Sequence, residues 1–148
     1  AVIERRGRYL VCRRRPGGFL GGYWEFPGGK RRVGESWAAC VRRELREERG
    51  AIARGRGPVW SRRYRYADRT VEFRAFRCAI VRGRPRPLAA DALRWVPAGR
   101  LGRYRFPPAN RPLLRCLMAE VTFGGRCDGW RPRRRRAIIE NTNRRLIR

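Results

Sequence analysis

Apolar positions alternate with charged ones at the start of the chain, which is the pattern of β-strands. Residues 2–5 and 8–13 both alternate in this way around Gly7, so they predict a β-hairpin. A glycine-rich loop over residues 16–22 then leads to a short aromatic strand at 23–26, which stops at a Pro-Gly-Gly sequence. Because the chain opens directly on apolar residues and has no initial methionine, we expect the first strand to be truncated.

The next segment changes to helical spacing. A helix is predicted to begin near Ser36, a suitable N-cap residue, and to end at Arg49, with Gly50 as its C-terminal stop. Its apolar stripe consists of Ala38, Val41 and Leu45.

The second half of the chain is mostly strand-like. Residues 59–66 and 70–81 predict two strands around a turn at 67–69, and residues 92–96 predict another. Residues 108–118 open a final helix. Strands and helices in this order predict a layered α/β domain.

Length and charge set the domain organisation. The 148 residues suffice for one domain, which we place at residues 1–119, followed by an arginine-rich C-terminal extension over residues 120–148. Lysine and arginine number 39 against 12 acidic residues, a net charge of +27. All but Lys30 are arginine, so a bias in composition explains the charge better than selection for a nucleic-acid surface. We expect only weak, nonspecific nucleic-acid binding, through the extension.

The chain lacks histidine and lacks a long apolar run, and each absence excludes a class of site or segment. Histidine does not occur, which excludes Ser-His and Cys-His triads and histidine zinc sites. No apolar run approaches the roughly 18 residues of a membrane span. The five cysteines form no Cys-x-x-Cys pair and are typical of buried thiols in a reducing compartment, so we expect a cytoplasmic protein with no membrane segment. These cysteines are Cys12, Cys40, Cys78, Cys116 and Cys127.

The candidate chemistry lies on the predicted helix that follows Ser36. Glu44, Glu47 and Glu48 are spaced i, i+3 and i+4, so they project from one helical face. Clustered carboxylates suit a hard cation such as Mg²⁺, which also binds substrate phosphates. The alternative is a solvated face that is neutralised by Arg43, Arg46 and Arg49.

A longer pattern favours the metal site. Gly29, Glu35 and the segment 43–50, Arg-Glu-Leu-Arg-Glu-Glu-Arg-Gly, have the order and spacing of the Nudix box, and the chain resembles the Nudix hydrolases. Only Ala51 departs from the pattern, where a larger aliphatic residue is usual. The resemblance extends over roughly residues 1–119 and is to the MutT-type branch, through 24–30, Trp-Glu-Phe-Pro-Gly-Gly-Lys, and the Phe-Pro-Pro-Ala-Asn segment at 106–110.

The resemblance implies a fold and a set of roles. The fold would be the Nudix α/β/α sandwich, with a mixed β-sheet between helices. Divalent ions, Mg²⁺ or alternatively Mn²⁺, would be held by the main-chain oxygen of Gly29 with Glu44, Glu47 and Glu48. Arg43 would orient a helix glutamate, Glu47 is our choice for the general base, and Glu35 and Gly50 would be structural.

Substrate contacts follow from the same resemblance. Arg15 matches the family's nucleotide-contacting arginine, with Arg14 a close second, and Glu25 and Lys30 lie in the segment that enters the box. The carboxamide of Asn110 could donate to O6 and accept from N7–H of 8-oxoguanine, whereas undamaged guanine presents acceptors at both positions. Alternatively, Asn110 caps the last helix.

One position departs from the branch. A further glutamate usually lies six residues before the tryptophan of the late strand, and here that position is Ala89. Asp91 is the nearest acid, so either Asp91 substitutes, or the helix glutamates alone transfer the proton, or turnover is slow.

The resemblance thus implies a monomeric, Mg²⁺-dependent enzyme that splits a nucleoside triphosphate into pyrophosphate and monophosphate. Asn110 favours an 8-oxo-dGTP diphosphatase that cleans the nucleotide pool and so serves DNA repair and replication. The alternatives are a pyrophosphohydrolase for CTP or other nucleoside triphosphates and a noncatalytic lesion-reading module, and the intact glutamate set disfavours the module.

Overall fold

Six strands and two α-helices make up the part of the chain that the structure, a computed structural model, describes: residues 1–123. In chain order they are β1 (Val2–Arg5), β2 (Arg8–Arg13), β3 (Trp24–Glu25), α1 (Trp37–Arg49), β4 (Ile52–Arg65), β5 (Thr70–Arg82), β6 (Ala92–Pro97) and α2 (Arg111–Phe123). Two 3₁₀ turns, Ala98–Arg103 and Pro108–Asn110, precede α2.

The strands form one mixed sheet. β2 is antiparallel to β6 along its whole length, and it also pairs with β1 at its start and with β3 at its end. β1 is parallel to β5, and β5 forms a long antiparallel pair with β4. The short strand that leads into the carboxylate helix is therefore bonded directly to the central strand β2.

Side-chain alternation gives the sheet a helix on each face. Val2, Tyr9 and Val11 belong to a core that includes the leucines of α2, whereas Ile3 and Leu10 pack with Leu45 of α1. Neighbouring strand residues thus face opposite helices, as the pleat requires. The leucines of α2 in the first core are Leu113, Leu114 and Leu117. The predicted sandwich with a mixed sheet between helices is confirmed.

The ends of α1 match the prediction. The Ser36 hydroxyl accepts a hydrogen bond from the Ala39 amide at 3.2 Å, which satisfies one of the free N–H groups of the first turn. Gly50 has φ 62° in the left-handed region, and its amide bonds back to Arg46. The helix is fixed at both ends by local chemistry.

The structure differs from the sequence prediction in the second half. β4 starts at Ile52, seven residues before the predicted strand, because pairing with β5 carries it through register shifts around Gly55, Gly57 and Pro58. These residues interrupt the alternating pattern from which a strand is predicted. The final helix starts as a 3₁₀ turn at Pro108–Asn110, and α2 extends to Phe123.

Three of the predicted buried thiols, Cys12, Cys40 and Cys78, are free and buried. The same prediction is wrong for Cys116, which is disulfide-bonded. Cys127 and nearly all of the C-terminal extension lie outside the described residues. Within residues 1–123, no helix is long and apolar enough to cross a membrane.

Candidate active site

Arg43 links the loop before α1 to the glutamates on α1. Its Nε and Nη2 donate to the two carboxylate oxygens of Glu35 at 2.8 and 3.0 Å. Nη1 donates to Glu44 at 2.7 Å and to Glu47 at 3.3 Å, and Nη2 also reaches the main-chain oxygen of Lys30 at 3.1 Å. One guanidinium therefore holds the loop and two of the helix carboxylates in a fixed relation.

The pairing changes the electrostatics of Glu35. Hydrogen bonds from Arg43, together with one from the Arg32 amide, lower the pKa of Glu35 to about 2. The same contacts with Glu35 and Glu44 raise the pKa of Arg43 above its usual range. Glu35 stays ionised throughout the neutral range, and its hydrogen bonds from Arg43 and the Arg32 amide connect the loop to α1.

Gly29 lies directly against the Glu44 carboxylate. A Cβ atom at this position would lie 2.2 to 2.4 Å from the carboxylate atoms of Glu44, closer than any side chain allows. Glu44 itself is buried on α1. An alanine here would displace the Glu44 carboxylate, which Arg43 holds, so the glycine lets the loop main chain lie against that carboxylate.

Glu48 lies beside a different set of charges. Burial raises the pKa of Glu48, and the negative charges of Glu44 and Glu25 raise it further, while Arg49 and Arg14 oppose them. Burial likewise raises the pKa of Glu25, whose carboxylate accepts a hydrogen bond from Arg14 at 2.8 Å. Glu25 of β3 thus joins the electrostatic environment of the helix glutamates.

The donor set suits a hard divalent cation, since every candidate ligand is an oxygen. Gly29 and Glu44 touch, and Glu44 and Glu48 are near enough to repel each other. Glu44 and Glu47 are both turned towards Arg43, and no three His, Cys, Asp or Glu side chains among residues 1–123 are grouped as ligands of one ion. The chemistry fits a metal, and the four-ligand set stays a prediction.

The two candidate nucleotide-contacting arginines have different partners. Arg14 is committed to Glu25, whereas Arg15 donates to the main-chain oxygen of Leu88 at 2.9 Å. Lys30 is exposed at the start of the loop before α1. Arg14 and Arg15 thus diverge, and only Arg14 approaches the carboxylates.

Asn110 lies at the end of the 3₁₀ turn before α2. Its main-chain N–H donates a hydrogen bond to the main-chain oxygen of Pro107 at 2.9 Å. Its half-buried side-chain carboxamide has no hydrogen-bond partner within residues 1–123. The preceding segment packs on β3, where the Trp24 amide bonds to Arg105 and the rings of Phe26 and Phe106 are 5.5 Å apart. The Asn110 side chain does not cap α2, which leaves it available to a ligand.

Ala89 and Asp91 lie in the segment between β5 and β6. Asp91 forms an ion pair with Arg13 at 2.5 Å, and its amide bonds to the Arg13 main chain. The Asp91 carboxylate is thus paired with an arginine, as Glu44 and Glu47 are with Arg43. Asp91 as a substitute for the missing glutamate and the helix glutamates as sole bases both stay predictions.

Comparison with known proteins identifies the arrangement. A model of the NUDIX domain matches residues 1–116. This chain belongs to the NUDIX family. CTP pyrophosphohydrolase from Escherichia coli is 34% identical over 119 residues, covering 80% of this chain and 88% of that protein. The 8-oxo-dGTP diphosphatase of Escherichia coli is 29% identical over 113 residues, covering 76% and 88%.

The solved structures agree. The solution structure of the Escherichia coli ORF135 protein has a TM-score of 0.69 at 31% identity, covering 81% of this chain and 86% of that one. The chain is thus a Nudix hydrolase, and Nudix hydrolases use divalent metal ions. The hydrogen bonds of Arg43 to Glu35, Glu44 and Glu47 therefore join residues of the Nudix box.

Arg49 is a charged residue of the Nudix helix whose burial the motif does not indicate. Only the alternative of a solvated face grouped it with Arg43 and Arg46, and its side chain is 2% exposed. It lies four residues after Leu45, on the line of the apolar stripe, so helical periodicity could have predicted its burial. The charge of the residue concealed that signal.

Proposed function

We propose that this Nudix hydrolase is a Mg²⁺-dependent nucleoside triphosphate pyrophosphohydrolase whose preferred substrate is 8-oxo-dGTP. The observation that carries the choice of base is Asn110, whose carboxamide is half-buried and without a partner in residues 1–123, and which follows the segment packed on the strand that enters the Nudix box. The relative named 8-oxo-dGTP diphosphatase supports the same substrate.

In the proposed reaction, water attacks a phosphorus of the triphosphate chain. The bond from that phosphorus to a bridging oxygen breaks, pyrophosphate and the nucleoside monophosphate separate, and the proton of the water passes to a carboxylate. Mg²⁺, when bound, neutralises phosphate charge and lowers the pKa of water. Gly29, Glu44, Glu47 and Glu48 would hold the ion.

The chain's own groups have separable tasks. Arg43 fixes Glu44 and Glu47 relative to the loop, so the carboxylates need little reorganisation. Glu47 is the most exposed of the three, with 42% of its side chain accessible, which suits a group that takes a proton from water. We assign the general base to Glu47.

Base recognition is assigned to Asn110. An amide can donate through its NH₂ group to O6 and accept at its oxygen from the N7–H of the lesion. Undamaged guanine has a lone pair at N7 that would face the amide oxygen. Sites built on such a hydrogen bond discriminate by several powers of ten, because the wrong ligand leaves a buried polar group unpaired.

A second candidate substrate is CTP. It is favoured by the 34% identity to CTP pyrophosphohydrolase. A pyrimidine lacks N7, so the paired contact at Asn110 would not form and the residue would have little effect on selectivity.

The test is pyrophosphate release from a panel of nucleoside triphosphates with Mg²⁺. We expect 8-oxo-dGTP to exceed dGTP and CTP in kcat/KM, and Asn110→Ala to bring 8-oxo-dGTP and dGTP towards equal values. Glu47→Gln should abolish turnover, whereas Glu4→Gln, the same change at an exposed position of β1, serves as control. Preference for CTP in the wild type, unchanged by Asn110→Ala, would favour the second candidate.

We propose further that the enzyme acts as a monomer in the cytoplasm, where the nucleotide pool lies, and that its extension adds only weak nonspecific nucleic-acid binding. Sedimentation velocity tests the oligomeric state. Salt-dependent binding of an arbitrary duplex tests the extension.

A further inference from the structure

Arg49 is a charged side chain inside the protein that the proposed mechanism leaves without a task. It lies at the last position of α1 and reaches inward to β2, where its Nη2 contacts the buried Cys12 sulfur at 3.0 Å. Its Nη1 donates to the main-chain oxygen of Glu48 at 2.8 Å. Its Nε is buried and has no hydrogen-bond partner among residues 1–123.

An aliphatic side chain would fill this position more simply. Burying a guanidinium is strongly unfavourable unless a counter-charge and hydrogen bonds compensate for the lost hydration. The neighbour that carries the counter-charge is Glu48, whose Oε2 lies 3.4 Å from Nη2 and whose side chain is one-third exposed. The Glu48 carboxylate thus has its inner side against Arg49 and its outer side open.

The Nudix helix uses the same arrangement at its other carboxylates. Arg43 follows this pattern with the glutamate next to it in sequence, at 2.7 Å, and Arg49 is likewise adjacent to Glu48. Each arginine thus forms an ion pair with the glutamate next to it in sequence. The difference is that Arg43 is part of the Nudix pattern, whereas Arg49 occupies a position that the pattern leaves open.

We propose that Arg49 is a positioning residue that holds Glu48 from the buried side of α1, in the orientation that binds the divalent ion. The inference rests on the proposed function for the role of Glu48 as a ligand. Partners that orient a metal ligand are commonly worth 10 to 100-fold in metal affinity or activity.

The first test measures Mn²⁺ binding to the full chain by electron paramagnetic resonance, without nucleotide. Arg49→Met removes the charge and keeps a buried side chain of similar length, and the control is Arg46→Met, three residues earlier on the exposed side of the helix. We expect the Mn²⁺ Kd to rise about ten-fold in Arg49→Met and to stay unchanged in Arg46→Met. Equal or tighter binding by Arg49→Met, or no binding by the wild type, would overturn the proposal.

A conservative variant distinguishes a role of Arg49 in positioning Glu48 from a role in packing. Arg49→Lys keeps the charge, so its Mn²⁺ Kd should lie within about three-fold of the wild type. If lysine were no better than methionine, the charge would have no part in holding Glu48. Thermal unfolding without metal checks the fold, since replacing a buried ion by an apolar group is often neutral or stabilising. Should Arg49→Met fail to fold, Arg49→Leu takes its place in the Mn²⁺ measurement and in a double-mutant cycle with Glu48→Gln.

The double-mutant cycle measures directly the coupling between Arg49 and Glu48 in Mn²⁺ binding. Glu48→Gln should weaken Mn²⁺ binding strongly in the wild type and much less in a background with Arg49 replaced, because the replaced arginine no longer orients the ligand. Additive effects would overturn the proposal.

Turnover distinguishes this inference from the proposed function. If the wild type hydrolyses triphosphates and Arg49→Met keeps both its kcat and its Mn²⁺ affinity, the inference fails and the function stands. If the wild type hydrolyses none while Arg49→Met loses Mn²⁺ affinity, the function fails and the positioning role stands. When both hold, kcat should fall about ten-fold with little change in KM.

Discussion

Arg43 shows how a single side chain can organise a site. Arginine offers five N–H donors in a planar fork, and here the fork meets Glu35 at two points while its remaining donors reach Glu44, Glu47 and a main-chain oxygen. A lysine at this position could not make the two-point contact with Glu35. The residue type is therefore set by geometry as well as by charge.

The pairing predicts a pH dependence at Glu35. Its pKa is near 2 in the folded chain and 4.5 in the reference state, so the stabilisation is fully present above pH 5 and is lost as the pH falls towards 2. Urea unfolding of the wild type and of Glu35→Gln should therefore differ at pH 7, and the difference should close between pH 5 and about 2. Comparing the two proteins cancels effects that they share.

The control for this prediction is Glu72→Gln. Glu72 pairs with Arg74 on β5, with 41% of its side chain exposed, and exposed pairs contribute little to stability. Its difference from the wild type should be small at every pH. A difference at Glu35 that does not change with pH would contradict the assigned pKa.

At the scale of elements, the site depends on the contact of the loop before α1 with the helix itself. Gly29→Ala should displace the Glu44 carboxylate from Arg43 and from the loop, because the new Cβ would lie 2.2 to 2.4 Å from it. We expect a loss of about 1–3 kcal/mol in urea unfolding and a kcat at least about ten-fold lower. Gly99→Ala, where no atom lies within 4 Å of the new Cβ, should change neither quantity. Full activity in Gly29→Ala would show that the close approach is not needed.

The sequence predicted the elements whose signals are local. The hairpin around Gly7 and the helix from Ser36 to Gly50 were placed to within a residue, because turn and cap residues act on their own neighbours. The start of β4 was missed, since that strand exists through its pairing with β5 across two glycines and a proline. Tertiary pairing overrides local propensity there.

The candidate site shows the same difference between local signals and tertiary contacts. The motif spacing indicated Glu35, Arg43 and the helix glutamates, and the structure brings Arg43 into contact with Glu35. The motif spacing could not indicate that Glu25, distant along the chain, shares the electrostatic environment of Glu48. The strand β3, which carries Glu25, is positioned near Glu48 only through its hydrogen bonds to β2. Arg49 was missed although its periodic position was visible.

At the scale of the whole molecule, the sheet with a helix on each face separates two tasks. The core with α2 contains all of the buried aromatic side chains of the two cores and stabilises the fold, and the opposite face carries α1 with its glutamates. The NUDIX match over residues 1–116 covers both faces. The charged site is thus built on one face without weakening the core on the other.

The net charge of +27 leads to the last prediction. A strongly positive protein attracts a triphosphate over distances comparable to the Debye length, which falls from about 30 Å at 0.01 M salt to about 10 Å at 0.1 M. Electrostatic steering changes the rate at which enzyme and triphosphate associate. We therefore expect kcat/KM to fall several-fold between about 0.02 and 0.2 M NaCl at fixed free Mg²⁺, while kcat changes less than about two-fold.

A triple variant provides the control for steering. Arg62, Arg63 and Arg65 are exposed on β4 and lead into Tyr66, whose ring is 5.5 Å from Phe19 in the loop that follows Arg15. Replacing all three by glutamine removes three positive charges beside that loop and leaves the glutamates of α1 untouched. The salt dependence of kcat/KM should become shallower while kcat is retained. A kcat/KM that does not change with salt in the wild type would mean that the excess of arginine contributes nothing to substrate capture.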